Sequence, residues 1–317
     1  FYAEELMLAL RAAAKIALAD GVVTFADGAE TWAGLPESLR GIIVSRIDAL
    51  GAAEQLVLKI GSVVGREFSL PMLNDLLPLT NSQLNLEQVA QVLEREDIVR
   101  PAHTPGAGYR FKHALLQETV YEQLPRGLRQ ELHATVATWI ERNESEDLEP
   151  RYAELAAHWE RALNLPLAVR YLEQSASLSL RRYANREAIV QASHALLLAQ
   201  QLSADAARSA RCEAILGDAC NELFEYRGAT RHFQLALAHA GRPIPQHQLT
   251  LVLDLGWQLM VQLTSFVGLR RPVSQDPWLP WASHIHEKLA EIAYFDAGTL
   301  PLLHATLTSL NLAERSG

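Results

Sequence analysis

The chain has 317 residues, 49% of them hydrophobic and 21% charged, so it is long enough to bury a sizeable core and to form two or three domains. Its formal charge of −9 argues against a surface built mainly to hold phosphate backbones, because such binding depends on clustered Lys and Arg. The two cysteines, Cys212 and Cys220, lie beyond disulfide reach in one predicted helix, which favours a reducing, cytoplasmic compartment.

The first 35 residues begin as a helix. The pattern of "FYAEELMLALRAAAKIALAD" is helical through Asp20, and the Gly-rich "GVVTFADGAETWAGL" that follows predicts a small hairpin or loop. We expect residues 1–35 to form a helical tail.

The sequence pattern of residues 36–145 predicts several helices followed by a hairpin. Pro36 begins one helix, Gly65 ends the next, and Ser69 caps a short third helix. "NLEQVAQVLERED" is a fourth helix, and "IVRPAHTPGAGYRFK" has two short runs around a Pro-Gly-Ala-Gly turn. Three helices with a two-stranded wing are the winged-helix arrangement, a helix-turn-helix variant.

The presumptive recognition helix of this unit is acidic. Between Leu86 and Asp97 there are four carboxylates and a single basic residue, Arg95. Such a helix would repel a phosphate backbone, so we do not expect this unit to bind DNA directly.

Residues 146–317 predict helix after helix, joined by short breaks. Leu216 and Gly217, followed by Ala229, Phe233 and Ala236, reproduce the alternation of small and large residues of a tetratricopeptide repeat. The expected fold is therefore mainly α-helical, with a winged helix followed by a solenoid of helical repeats. The most apolar run, residues 249–269, approaches the length of a membrane span, but its polar residues favour a buried solenoid helix and no membrane partner.

Catalytic and metal-binding motifs are absent from the sequence. There is no P-loop, no HExxH and no GxSxG, and the two imidazoles of "HIHEK" (284–288) point to different faces of a helix. We therefore predict neither catalytic nor metal-binding residues, and no enzymatic activity for this chain.

Two places carry candidate binding residues. His113 lies where a strand gives way to a helix, beside unsatisfied backbone N–H groups that favour an anionic partner. On geometry alone, a satisfied capping histidine is the better explanation of this pattern. The irregular stretch 264–280 offers a possible partner contact, or else packs its tryptophans onto the solenoid. Its candidate contact residues are Arg270, Arg271, Trp278 and Trp281.

The order of several segments resembles the C-terminal half of bacterial STAND signalling ATPases. These segments are "PESLRGIIVSRIDAL", "VVGREFSL", "YRFKHALLQETVYEQLPRGLRQELH", "AELAAHWERA", "AVRYLEQSASLSLRRYANREAI" and "LAEIAYFDAGTLPLLHATLTSLNLAER". The similarity is greatest to large proteins in which a class III nucleotide cyclase, or a protein kinase, precedes an AAA-like ATPase module.

The resemblance implies that Phe1 follows the ATPase core, so the P-loop, the magnesium-binding acid and any output domain would lie upstream. It implies no cofactor in this chain, ATP or ADP with Mg²⁺ in the full-length protein, and a protein partner or small effector bound by the repeats. The histidine that contacts the phosphates of ADP in related proteins corresponds to His113. Lys112 and Ala114 occupy the positions where the more familiar motif has Met and Asp.

Two alternatives stay open. One is the same part of a LuxR/MalT-like transcriptional activator, whose DNA-binding domain would follow residue 317. The other is a plain repeat scaffold with no link to a nucleotide.

Overall fold

A computed structural model describes residues 16–19, 22–25, 39–77, 84–102, 108–202, 206–267 and 273–316. The protein is mostly α-helical with a small antiparallel sheet, which confirms the predicted fold class at this level. It divides into two compact units, Phe1–Glu146 with Arg161–Leu163, and Asp147–Glu160 with Asn164–Gly317.

The first described element is a hairpin, not the end of a helix. Strands β1 (Ile16–Ala19) and β2 (Val22–Phe25) pair antiparallel, with Ala19 opposite Val22. The prediction of a helix through Asp20 is therefore wrong at its end. Asp20–Gly21 separates the two strands in the sequence, and this dipeptide favours two-residue hairpin connections. Residues 1–15 and Pro36 lie outside the described residues.

The rest of the first unit alternates helices with three short strands. Its elements are α1 (Leu39–Asp48), α2 (Ala52–Val64), β3 (Glu67–Phe68), α3 (Leu70–Leu76), α4 (Leu86–Arg95), β4 (Val99–Pro101), β5 (Tyr109–Phe111), α5 (Ala114–Gln123) and α6 (Arg126–Asn143). Gly65 ends α2 at φ 145°, and the side chain of Ser69 accepts a 3.3 Å hydrogen bond from the Met72 N–H at the start of α3. Both boundaries were predicted from the sequence.

The sheet of this unit has β5 in the middle, flanked by β3 and β4, and both pairings are antiparallel. The sequence predicts the β4–β5 hairpin but not β3, which has only two residues. Phe68 of β3 packs edge-to-face on Phe111 of β5 with ring centroids 5.5 Å apart. Gly61 of α2 lies beneath Phe68, where a Cβ atom would come within 3.2 Å of the ring. Hence the sheet packs closely on α2.

The described part of the second unit is built of helices. They are a short 3₁₀ turn (Glu149–Arg151), α7 (Tyr152–Arg161), α8 (Leu165–Arg181), α9 (Asn185–Ala199), α10 (Ala206–Glu222), α11 (Tyr226–His239), α12 (Gln248–Phe266), α13 (Trp278–Ile292) and α14 (Thr299–Ser316). Successive helices pack against their neighbours, as in α8–α9, α9–α10, α10–α11 and α13–α14. The local character of these contacts is typical of solenoids.

Three turns between these helices share one backbone geometry. Leu163, Tyr183 and Phe224 each have φ near 60°, in the left-handed region. In each turn the next N–H donates a 2.9 Å hydrogen bond to a carbonyl five residues earlier: Asn164 to Trp159, Ala184 to Ser179, and Glu225 to Cys220. This is the Schellman pattern of helix termination, which recurs here between α7 and α8, α8 and α9, and α10 and α11.

A close helix contact lies between α10 and α11. A Cβ atom on Gly217 would come within 2.6 Å of two ring atoms of Phe233, whose side chain is fully buried. Leu216, Ala229 and Ala236 are also buried. Gly217 and Phe233 therefore pack tightly between α10 and α11, whereas Leu216 packs in a neighbouring cluster with residues of α8 and α9.

Helix α12 differs from the sequence-based expectation. The apolar run was predicted to be a buried helix, but Val261 is the one residue that α12 buries, and Leu249, Leu253 and Phe266 are 81%, 74% and 89% exposed. The prediction is wrong because α12 turns its polar stripe, not its apolar side, toward α14. Among the described residues it is also the helix that is long and apolar enough to cross a membrane by length and composition, which is weak evidence for a span.

Candidate functional site

His113 occupies the junction between β5 and α5. It is the N-cap of α5 with extended backbone angles (φ −131°, ψ 143°), and its carbonyl accepts a 3.1 Å hydrogen bond from the Leu116 N–H. Its side chain makes no capping hydrogen bond to the helix, and its Nε2 atom is shielded from solvent. The imidazole therefore lies beside the positive end of α5 without capping it.

The residue before His113 is held by an ion pair. The Lys112 ammonium, which is 4% exposed, bonds to the Asp97 carboxylate, and Arg100 bonds to the other carboxylate oxygen at 3.3 Å. Burial by itself would raise the pKa of Asp97, but the hydrogen bonds and charges of Lys112 and Arg100 outweigh it and leave that pKa lowered. The Lys112 N–H also donates to the Ile98 carbonyl at 2.9 Å. These contacts fix the β5–α5 junction to the turn after α4.

The junction is also anchored from α5. The Gln117 side chain donates a 2.7 Å hydrogen bond to the Ser62 carbonyl of α2. Arg40 of α1 forms an ion pair with Glu122 near the end of α5. His113 is therefore placed by elements on both sides, as a positioned binding residue would require.

The surface of α4 carries the acidic residues found in the sequence. Glu87 in its first turn, Glu94 in its last turn and Glu96 just beyond its end are exposed, together with Arg95. The exposed side of this helix is therefore unsuited to a phosphate backbone.

The four candidate partner-contact residues lie in different places. Arg270 and Arg271 fall outside the described residues. Trp278 and Trp281 lie in the first turn of α13, where their rings pack edge-to-face with centroids 4.9 Å apart. Both are half-buried, and Trp281 packs against a core formed by α10, α11, α13 and α14. Both tryptophans therefore belong to helix α13.

The sequence analysis missed a group of buried polar residues in the second unit. His286, one of the two imidazoles of the HIHEK segment, is only 4% exposed, and its ring lies edge-to-face with that of His304 at 6.1 Å. His304 Nε2 lies 2.7 Å from Asp254 Oδ2 of α12. The four-residue spacing of Asp254, Gln258 and Gln262 was a signal of a polar stripe, but not of its contact with α14. Within the described ranges, no group of three or more His, Cys, Asp or Glu side chains could hold a metal ion.

Comparison with known proteins identifies one distant relative and no family. No protein-family model matches the chain, and no solved structure matches it. An uncharacterized protein of Rhizobium meliloti (strain 1021) is 32% identical over 167 residues, which are 52% of this chain and 16% of the relative. The matched region therefore spans about a sixth of the relative's length, and this chain is similar to one part of a much longer protein.

Proposed function

We propose that this chain is a regulatory and interaction region of a STAND signal-transduction ATPase. The first unit would be a winged helix that gates the nucleotide state, and the second a set of tetratricopeptide-like repeats that bind a protein partner or small effector. The nucleotide, ATP or ADP with Mg²⁺, would be held mainly by an ATPase module in the same polypeptide, and an output domain such as a nucleotide cyclase would respond.

The order of elements around the sheet is the observation that carries this proposal. The sequence α2–β3–α3–α4–β4–β5, with β5 between β3 and β4, is the order expected of a winged helix, and His113 lies two residues after the last strand of the wing. A histidine at this position, beside a helix N-terminus, suits contact with the terminal phosphate of a nucleotide. The acidic surface of α4 favours this role over DNA binding.

The repeats are supported by the recurring turns and by the α10–α11 contact. Small residues at Gly217, Ala229 and Ala236 allow the two helices to approach, which is the packing that tetratricopeptide repeats require. The outer side of α12 adds an exposed apolar surface of the kind that marks interaction sites. Binding there would shift the protein between a closed, ADP-bound state and an open state, if the partner prefers one of them.

The alternatives differ in what they predict for the parent protein. A transcriptional activator of the same superfamily would carry a DNA-binding domain, whereas a plain scaffold would show no dependence of nucleotide binding on this chain. The much greater length of the relative agrees with a multidomain parent protein, but it does not favour one kind of output domain over another.

The test uses the full-length parent protein with His113→Ala. We expect ADP affinity to fall about tenfold, because a hydrogen bond to a charged phosphate is lost, and activation to need less stimulus. Fluorescent ADP titration measures the first quantity. His284→Ala is the matched control, since His284 is more than half exposed and lies in the second unit.

Unchanged ADP affinity in His113→Ala would refute nucleotide gating through this residue.

The isolated chain, which lacks a P-loop, should release no phosphate from ATP in a colorimetric assay.

A further inference from the structure

The second unit contains a polar cavity of about 240 Å³. Its walls come from α12, α13 and α14 and from the segment 242–245 that precedes α12. The volume is slightly below the range of about 300–1,000 Å³ typical of sites for drug-sized ligands, so it suits a small metabolite.

The polar stripe of α12 faces this cavity. Asp254 and Gln258, one turn apart, line it together with the buried Val261, while most of the large apolar residues of α12 face away from α14. A helix on the surface of a globular protein normally has the opposite arrangement, with its apolar side packed against neighbouring elements. The inward polar stripe is explained if the space between α12 and α14 is occupied by something polar.

Three buried polar atoms, on residues that line the cavity, have no hydrogen-bond partner among the described residues. They are Nδ1 of His286, Oγ1 of Thr308 and Oδ1 of Asn311, on side chains whose residues are 4%, 8% and 6% exposed. The Asn311 amide is oriented by α12, because its Nδ2 donates to the carbonyl and to Oε1 of Gln258, both at 2.9 Å. Its Oδ1 is therefore left as an acceptor. Buried polar atoms in native proteins are rarely without partners, so these three call for a bound group.

Charged side chains give the cavity two different sides. Arg242 and Arg315 both lie near Asp276, whose carboxylate accepts a 2.8 Å hydrogen bond from Arg242, and they place positive charge on one side. Asp254, paired with His304, places a carboxylate elsewhere in the lining. Burial, followed by the neighbouring His304, lowers the pKa of His286 to about 4, so its ring is neutral and has one nitrogen to donate and one to accept.

We propose that this cavity binds a small carboxylic acid that carries a hydrogen-bond donor near its carboxylate. The carboxylate would lie toward Arg242 and Arg315, and the donor would reach Oδ1 of Asn311, with Thr308 and His286 completing the hydrogen bonds. Both α-hydroxy acids and α-amino acids have this chemistry. An ammonium group would gain more from Asp254 than a hydroxyl would. The proposal gives a chemical class to the small effector of the proposed function but does not depend on that function, since it needs no nucleotide and no other domain.

The experiment uses the purified 317-residue chain. Protein amino acids and short α-hydroxy acids are screened at millimolar concentration for an increase in melting temperature, each beside its methyl ester, which lacks the carboxylate charge, and hits are titrated by calorimetry. We expect at least one acid to bind and its ester to bind at least tenfold more weakly. The class of the hits distinguishes an amino acid from a hydroxy acid.

Thr308→Val and Thr306→Val form a matched pair on α14. Thr306 is exposed and donates to its own helix, whereas the Thr308 hydroxyl is buried at the cavity. We expect Thr308→Val to weaken binding about tenfold while the unliganded chain melts no lower than the wild type, because the substitution removes an unpartnered hydroxyl. Thr306→Val should bind as the wild type does.

The proposal is overturned if no acid in either set binds, which would mean that the cavity holds only water. Equal affinity of the two valine variants would overturn it as well.

Discussion

His133 joins α5 and α6 inside the first unit. Its residue is 1% exposed, and its Nε2 atom lies 2.9 Å from the Tyr121 hydroxyl, while Arg129 stacks over the Tyr121 ring at 4.8 Å. Burial, helped by the charges of Arg161 and Arg129, lowers the pKa of His133 from 6.5 to about 4. The imidazole is therefore neutral in the folded protein and must stay so for the unit to remain packed.

The first prediction concerns acid stability. Between pH 6.5 and pH 4 the unfolded chain binds a proton at His133 that the folded chain does not. The contribution of the neutral His133 to the unfolding free energy is therefore complete above pH 6.5 and decreases as the pH is lowered. We expect His133→Gln, which keeps a hydrogen-bond acceptor, to reduce the loss of unfolding free energy between pH 7 and pH 5 by about 2 kcal/mol.

Urea unfolding at the two pH values measures this difference. His284→Gln serves as the control, because His284 is exposed. The buried imidazole has no effect on acid stability if His133→Gln and the wild type lose the same free energy.

At single residues the sequence predicted caps better than buried polar groups. Ser69 and Gly65 were identified because the rules for helix ends are local. His286 and Asn311 were not, since burial of a histidine or an amide depends on which helix packs over it. The candidate cavity accordingly became visible only in three dimensions.

The pairing of α10 with α11 depends on one missing side chain. Gly217 leaves room for the ring of Phe233, which is fully buried. The two helices can therefore approach closely at this point.

The second prediction compares two helical glycines. Gly217→Ala should lower the unfolding free energy by about 1–3 kcal/mol, because the new Cβ atom overlaps Phe233. Gly256→Ala in α12 meets nothing within 4 Å and should raise it by up to about 1 kcal/mol through helix propensity alone. Thermal unfolding followed by circular dichroism measures both. Equal effects of the two substitutions would contradict the close approach of α10 and α11.

Two elements show why patterns predict structure only in part. Strand β3 is two residues long, too short for any periodicity, and it forms because β5 offers a free edge. The helical conformation of α12 was predicted correctly, but its hydropathy does not indicate which side of the helix packs against a neighbouring helix. Asp254, Gln258 and Asn311 decide that orientation through contacts between distant parts of the sequence.

At the scale of the whole molecule the chain has two compact units, each with its own buried residues. The first combines helices with a sheet, and the second is a series of helices whose contacts are mainly between neighbours. Units with separate cores can unfold at different temperatures.

The third prediction follows from this division. Calorimetry of the chain should resolve two heat-absorption peaks, and Gly217→Ala should lower the temperature of one of them by several degrees while leaving the other unchanged. His133→Gln, studied at pH 5, should move the other peak. A single peak shifted by both substitutions would show that the two units unfold as one.

The polar stripe of α12 also has a consequence during synthesis. As it leaves the ribosome, Gln248–Phe266 is, by length and composition only, a weak candidate for membrane insertion. Asp254 lies one turn from the midpoint of this segment, where a carboxylate opposes insertion by about 2.5–3.5 kcal/mol, and Gln258 and Gln262 extend the same stripe. The residues that line the cavity of the folded chain thus also disfavour the lipid bilayer as a destination for the newly made helix.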